Sequence, residues 1–338
     1  MNWLELSRNR LRKVLKTNRV GNIRQLESKI CEAGPPQMRP APDILTKALN
    51  ELTKSGIIKS DKVPIGSGDE NIFYFAEDFD FNLSSDKDRY SRIVKLYREF
   101  LKIVNHKKNC GYVLETIMQK AIKASKTYHF VGGPGRSTNN FSVNGTIIKG
   151  DFDFILQSKA KLIGVELKNK RKWLYPDHRD LWVAIYRCLE NNALPVIIAR
   201  KFPYVVRLIF KHVGILGYET HNQYLKPELV NVMVEMRDKN GLGFADLRFT
   251  DEPEERHINF FKKILPNQEE DSWESFTSNK DILNKYAQIL KEDTSSKSRT
   301  KLVYQFLGEI GIVPENKEEE RDFEEDYGDY YDAHPPDF

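Results

Sequence analysis

Two short segments separated by one turn constrain this chain more than any others: Gly150-Asp151-Phe152-Asp153-Phe154-Ile155-Leu156 and Gly164-Val165-Glu166-Leu167-Lys168-Asn169-Lys170. Side chains alternate between faces along a strand, so Glu166 and Lys168 share one face while Val165 and Leu167 take the other. The apolar face can pack and the charged face can work. The same alternation puts Asp151 and Asp153 on one face of the preceding strand. If the two strands pair, a carboxylate from each converges with the lysine, a grouping suited to a hard divalent cation.

The surrounding pattern is α/β. A helical stretch from Gly111 carries Val113, Leu114, Ile117, Met118, Ala121 and Ile122. Short β-rich runs follow at Ile147-Ile148, Asp151 to Leu156 and Leu162 to Leu167, then a helix over Leu181 to Leu189 and an apolar strand over Pro195 to Ala199. Upstream, Leu4, Leu11, Val14 and Leu15 mark a first amphipathic helix and Ile23, Leu26 and Ile30 a second. A third begins at Asp43, buries Ile44, Leu45, Leu49 and Leu52, and closes at Gly56. Gly56-Ile57-Ile58 leads into a strand, the Gly66-Ser67-Gly68-Asp69 segment turns the chain, and Ile72-Phe73-Tyr74-Phe75 returns. Three helices and a β-ribbon in this order resemble a winged helix-turn-helix domain. That resemblance implies a third helix lying in a DNA major groove, with Lys47, Asn50, Lys54 and Lys62 as contacts. Such a domain can also serve only to dock proteins.

Phosphodiester hydrolysis needs an activated water, neutralisation of the scissile phosphate and stabilisation of the leaving oxygen. Carboxylates holding Mg²⁺ serve the second need and help the others; a lysine adds a point charge beside the phosphate. An acid, a short turn, then acid-x-lysine on adjacent strands resembles the PD-(D/E)XK nuclease superfamily over about residues 100 to 215. The resemblance implies a restriction-endonuclease-like mixed sheet flanked by helices, with Mg²⁺ as cofactor and Mn²⁺ as a substitute. It also implies Glu115, Asp153, Glu166 and Lys168 as catalytic residues. The three acids would ligate metal, Asp151 being the alternative first ligand. No proline precedes the first acid, which departs from the family pattern. The family also implies that Tyr186 and Arg187, on the following helix, support the site. Lys170, Arg171 and Lys172, beside Trp173 and Tyr175, are expected to hold DNA phosphates. Gly132 to Arg136 lacks the Gly-Lys-Ser/Thr ending of an ATP-binding loop.

The expected organisation is a winged helix over 1–84, a nuclease-like domain over 90–245, a helical C-terminal region over 246–313 and a disordered acidic tail over 314–338. The net charge of +4 hides a polarity, since residues 315–338 carry eleven acids against Lys317 and Arg321, leaving +13 elsewhere. A basic body is attracted to phosphate backbones by counterion release. The tail either docks a partner, competes with DNA for that body, or only solvates the chain. No run reaches the roughly 18 apolar residues of a membrane span, the first residues lack a secretory signal's apolar core, and Cys31, Cys110 and Cys188 show no zinc or disulfide spacing. These features predict a cytoplasmic, non-membrane protein with reduced thiols. The expected function is metal-dependent cleavage of duplex DNA in restriction, defence or DNA processing, by a homodimer or a subunit of a larger complex. The competing expectation is a non-catalytic DNA-binding subunit with a nuclease-like scaffold; cleavage of RNA is a third.

Overall fold

The computed structural model describes residues 2–33, 38–64, 70–106, 108–133, 138–143, 146–158, 161–292 and 295–312. The acidic tail, the Gly66 to Asp69 turn and most of the Gly132 to Arg136 loop lie outside them. The chain is mixed α/β and divides into two compact units, Met1–Asn105 with Leu229–Leu247, and His106–Glu228 with Arg248–Pro314.

In the first unit, helix α1 (Trp3–Asn18) starts where the Asn2 side chain accepts the Glu5 N–H, and it buries Leu11 and Leu15. Strand β1 (Val20–Asn22) runs into α2 (Ile23–Ile30), which begins with a reciprocal cap between Asn22 and Gln25; each satisfies a backbone N–H that a helix start leaves open. Helix α3 (Pro42–Lys54) has proline in its first turn, where the missing N–H costs nothing, and buries Ile44, Leu45, Ala48, Leu49 and Leu52. Gly56, at φ 72°, turns the chain out of it. Strands β2 (Lys59–Pro64) and β3 (Glu70–Phe75) pair antiparallel, and β1 adds to β3, giving the order β1-β3-β2. The third strand was not expected, because three residues carry no readable period.

The polar stretch Ser84 to Arg89, where the expected winged helix (1–84) gives way to the expected nuclease-like domain (90–245), opens helix α4 (Ser84–Val104), which groups with the first unit. The polar composition misled because Asp86 is buried as an ion-pair partner: its carboxylate accepts from the Arg19 guanidinium at 2.8 Å and from the Asp80 N–H at 3.0 Å. Residues 229–247 join this unit too, with Phe244 packed on Phe100 at 4.9 Å between ring centroids.

The second unit is built on a five-stranded sheet. In chain order its elements are α5 (Gly111–Ser125), β4 (His129–Gly132), a small hairpin of β5 (Ser142–Val143) and β6 (Thr146–Ile147), β7 (Phe154–Ser158), β8 (Lys161–Lys168), α6 (Arg179–Glu190), β9 (Ala193–Ala199), α7 (Tyr204–Val213) and β10 (Leu216–Glu219). The sheet order is β10-β9-β8-β7-β4, antiparallel from β4 through β8 and parallel from β8 through β10. Every residue of β9 is buried, as expected for a parallel strand covered on both faces. The C-terminal helices Leu265–Ser278, Lys280–Leu290 and Ser296–Glu309 are not a separate region: Leu265, Phe276, Leu283, Leu290 and Phe306 share one core with the sheet, and Phe306 meets Trp182 edge-on at 5.1 Å. Among the described residues no helix is long and apolar enough to cross a membrane, and the three cysteines are buried and unbridged.

Gly164 sits where β8 passes between α6 and the turn before β7. A Cβ there would lie 2.6 Å from the Phe152 ring and 2.8 Å from Cys188 Sγ. Overpacking at such a point costs about 1–3 kcal/mol. Gly164→Ala is therefore expected to lower the free energy of unfolding by that amount, read as a lower urea midpoint at unchanged slope, and an unchanged midpoint would show that Phe152 relaxes freely.

Candidate active site

The register of the β7–β8 hairpin builds the site. Phe154 pairs with Val165 and Ile155 with Gly164, so one position beyond the last pair Asp153 comes opposite Glu166. Asp153 Oδ2 accepts the Leu167 N–H at 2.6 Å, which binds the carboxylate to the neighbouring strand. Gly133, at φ 70°, lies across this turn; a Cβ there would fall 2.4 Å from the Asp153 carbonyl oxygen, so only glycine allows the approach.

Lys168 ends β8. Its Nζ lies 2.6 Å from Glu166 Oε1 and 3.8 Å from Asp180 Oδ2. Asp180, in the first turn of α6, also takes Lys170 at 2.8 Å. Two turns later on the same helix, Arg187 Nη1 stands 3.5 Å from Glu166 Oε2 and donates to the Asp151 carbonyl at 2.5 Å. Glu166 is thus held between two cations, with 10% of its side chain exposed. Beyond Lys168, Asn169 pins the end of the strand: its amide donates to the carbonyls of Cys110 (2.7 Å) and Tyr224 (2.6 Å) and accepts the Tyr224 N–H.

Burial sets the electrostatics first. It pushes the Asp153 carboxyl up to about 7, helped by the negative charge of Glu166 and, more weakly, of Glu115, against the Leu167 N–H and Lys168. Burial alone would lower the Lys168 ammonium, but Glu166 beside it, with Asp180 and Asp153, outweighs that and raises it, keeping the lysine charged at neutral pH. Burial likewise opposes ionisation of Asp180, yet Lys170 and Lys168 hold its carboxyl below the usual range.

Asp153, Glu166 and Lys168 are therefore brought together. Glu115 is half-buried on α5 and its charge reaches Asp153. Among the described residues, however, no set of three or more His, Cys, Asp or Glu side chains converges as metal ligands; the assembled acids are the pair Asp153 and Glu166. Asp151 does not share a strand face with Asp153 as expected. The strand begins only at Phe154, and Asp151 Oδ1 is engaged by the Thr138 and Asn139 N–H groups at 3.1 and 3.2 Å.

Of the two supporting residues expected on α6, Arg187 reaches the site, whereas the Tyr186 hydroxyl donates to Glu190 and its ring lies under Lys291. Lys170 and Lys172 are exposed. Arg171 is buried and its carbonyl accepts from Arg200, so it is not a surface contact for phosphate. Asp180 was missed, although an acid opening the helix after an acid-x-lysine strand is a readable signal. In the first unit, Lys47, Asn50 and Lys54 are exposed on one face of α3, and Lys62 is exposed on β2.

The raised Asp153 carboxyl has a consequence for stability. Between its ordinary value of 3.8 and about 7 the folded chain keeps a proton that the unfolded chain releases, so stability falls as pH rises through that window. In EDTA, Asp153→Asn should melt higher than the wild type at pH 8, with the gap closing towards pH 5. A gap independent of pH would show that Asp153 ionises normally.

Compared with protein-family models, with curated proteins and with solved structures, the chain shows no match.

Proposed function

We propose that this chain is a metal-dependent nuclease that hydrolyses DNA phosphodiester bonds at Asp153, Glu166 and Lys168. One observation carries the reading: the β7–β8 register sets Asp153 against Glu166 while the Lys168 ammonium sits 2.6 Å from the latter. The layout of the second unit supports it, since a helix precedes an antiparallel run of strands that passes through a helix to a parallel strand, as in a restriction-endonuclease-like core. The donor set suits Mg²⁺ or Mn²⁺. It is made of hard carboxylate oxygens held close in a half-buried place, and Mg²⁺ commonly takes one or two carboxylates, filling its other positions with water and phosphate. Asp153 and Glu166 would hold the ion, and Glu115 would assist from α5. When bound, the ion supplies neutralisation of the scissile phosphate and Lewis acidity.

The chain's own residues do the rest. Lys168 stays protonated beside the acids, where it can orient a water and place positive charge next to the phosphate. Asp180, 3.8 Å from the ammonium, helps to position Lys168. Arg187 fixes both Glu166 and the backbone of the Asp151 turn, so the two acids keep their separation when substrate enters. In the first unit, the order α1-β1-α2-α3-β2-β3 with strands arranged β1-β3-β2 supports a winged helix-turn-helix. Lys47, Asn50 and Lys54 would then face duplex DNA, with Lys62 on the ribbon touching phosphate.

A second reading has its own support. Glu166 is already ion-paired with Lys168 and Arg187, as a purely structural network would be, which favours a DNA-binding subunit on a nuclease-like scaffold. Incubation with supercoiled plasmid, linear duplex, single-stranded DNA and matched RNA, in Mg²⁺ or EDTA, separates the two. Nicking that needs metal and falls by roughly a hundredfold or more in Lys168→Ala supports the enzyme, a loss typical of removing one preorganised charge at a reacting centre. Binding without any cutting supports the scaffold, and cutting of RNA alone changes the substrate class. The double variant Lys47→Ala/Lys54→Ala should weaken duplex binding and lower the slope of log affinity against log salt by about 2. An unaltered slope would move the DNA-contacting face off α3.

A further inference from the structure

Helix α4 packs on the sheet of the first unit and carries a charged stripe beside its edge strand. On the packed side, Tyr90 and Tyr97 meet the Phe73 ring edge-on at 6.3 and 6.1 Å between centroids. Lys95, Arg98 and Lys102 are exposed, and their spacing of three and four residues puts them along one side of the helix. Strand β2, at the edge of the order β1-β3-β2, runs next to them. Between strand and helix lies an open groove of about 480 Å³. Val63 and Val94 supply apolar lining, the three cations and Ser91 the polar part, and Glu99 is the acid among the lining residues.

The fold makes little use of this stripe. Arg98 gives one hydrogen bond, to the Pro64 carbonyl at 3.0 Å, which ties the helix to the end of β2. Lys95 and Lys102 form neither a hydrogen bond nor an ion pair among the described residues. Other cations of the same helix are engaged: Arg89 donates to the Asn18 carbonyl at 3.2 Å, and Arg92 pairs with Glu235 at 3.2 Å. Residues 87–102 carry six cations against Asp88 and Glu99, so the positive charge that is left over collects beside β2.

Spacing narrows the choice of ligand. Lys95 to Lys102 covers about 10 Å along the helix axis, a length over which one strand of a DNA duplex presents about three phosphates. A small anion would instead need donors converging on one concavity. Three cations in a row, next to a strand of the β-ribbon, match a repeating polyanion.

We infer that the Lys95-Arg98-Lys102 stripe, with the groove beside β2, is a second phosphate-binding track for duplex DNA, in addition to the contacts from α3. The inference rests on the reading of the first unit as a DNA-binding winged helix, and it is independent of the nuclease site. Such a track adds affinity without base readout and lengthens the footprint of the unit.

The test uses the full chain and a fluorescein-labelled duplex in EDTA, titrated at several salt concentrations. Lys95→Ala/Lys102→Ala should weaken binding about tenfold and lower the slope of log affinity against log salt by about 2, while Lys95→Arg/Lys102→Arg keeps both near wild type. A second readout reports contact rather than charge. The three native cysteines are buried, so Ser91→Cys can be labelled with a benzophenone in the groove and should crosslink to the duplex on illumination. Unchanged affinity and slope overturn the track, and so do crosslinks that join two copies of the chain and spare the DNA. If Lys47→Ala/Lys54→Ala leaves binding intact while Lys95→Ala/Lys102→Ala weakens it, the winged-helix reading fails and the track stands. The reverse pattern removes the track and keeps that reading.

Discussion

The pairing of β7 with β8 is the constraint on which the rest of the candidate site depends. Because Phe154 lies against Val165, Asp153 has nowhere to go but opposite Glu166, and the Leu167 N–H then fixes its carboxylate. A one-residue slip would reverse every side chain of one strand and send the acids to opposite faces. The slip is resisted from both sides of the sheet. Phe154, Leu156, Ile163 and Val165 are fully buried, and Gly164 leaves room for Phe152 and Cys188 but for no side chain of its own. The register that buries apolar area is also the one that gathers charge.

Gathered charge must be compensated, and the unit arranges this from α6. Asp180 and Arg187 sit seven residues apart, on one face of the helix, and contact Lys168 and Glu166 respectively. Glu166 is therefore neutralised twice, whereas Asp153 has a backbone donor at 2.6 Å and only a weak pull from Lys168 in its favour, which is why burial wins at Asp153. An acid held against its own ionisation between two other acids is the place where a divalent cation gains most, and Lys168 beside it remains charged.

Much of this was legible in the sequence, for reasons that can be named. The Glu166-x-Lys168 alternation, the continuous apolar run of β9 and the one-sided stripe of α3 are strong periodic signals, and each became the element expected. Other features depend on contacts that no period encodes. Asp151 and Asp153 look equivalent in sequence, and only the start of β7 at Phe154 distinguishes them. Arg171 belongs to a basic run but is buried under Arg200, and Tyr186 shares a helix with Arg187 yet turns to Glu190. The polar Ser84 to Arg89 stretch resembles a linker until Arg19 is known to reach Asp86 across 67 positions. β1 is too short to show alternation, and the C-terminal helices join the sheet's core although nothing in their own sequence says which surface they cover.

The most direct test of the central claim is Mn²⁺ binding in the presence of duplex DNA, followed by electron paramagnetic resonance on the wild type, Asp153→Asn, Glu166→Gln and Lys168→Ala. The account predicts that the wild type and Lys168→Ala take up the ion while both acid variants lose it. Equal uptake by all four, or none by the wild type, would contradict the assignment of Asp153 and Glu166 as a cation-binding pair.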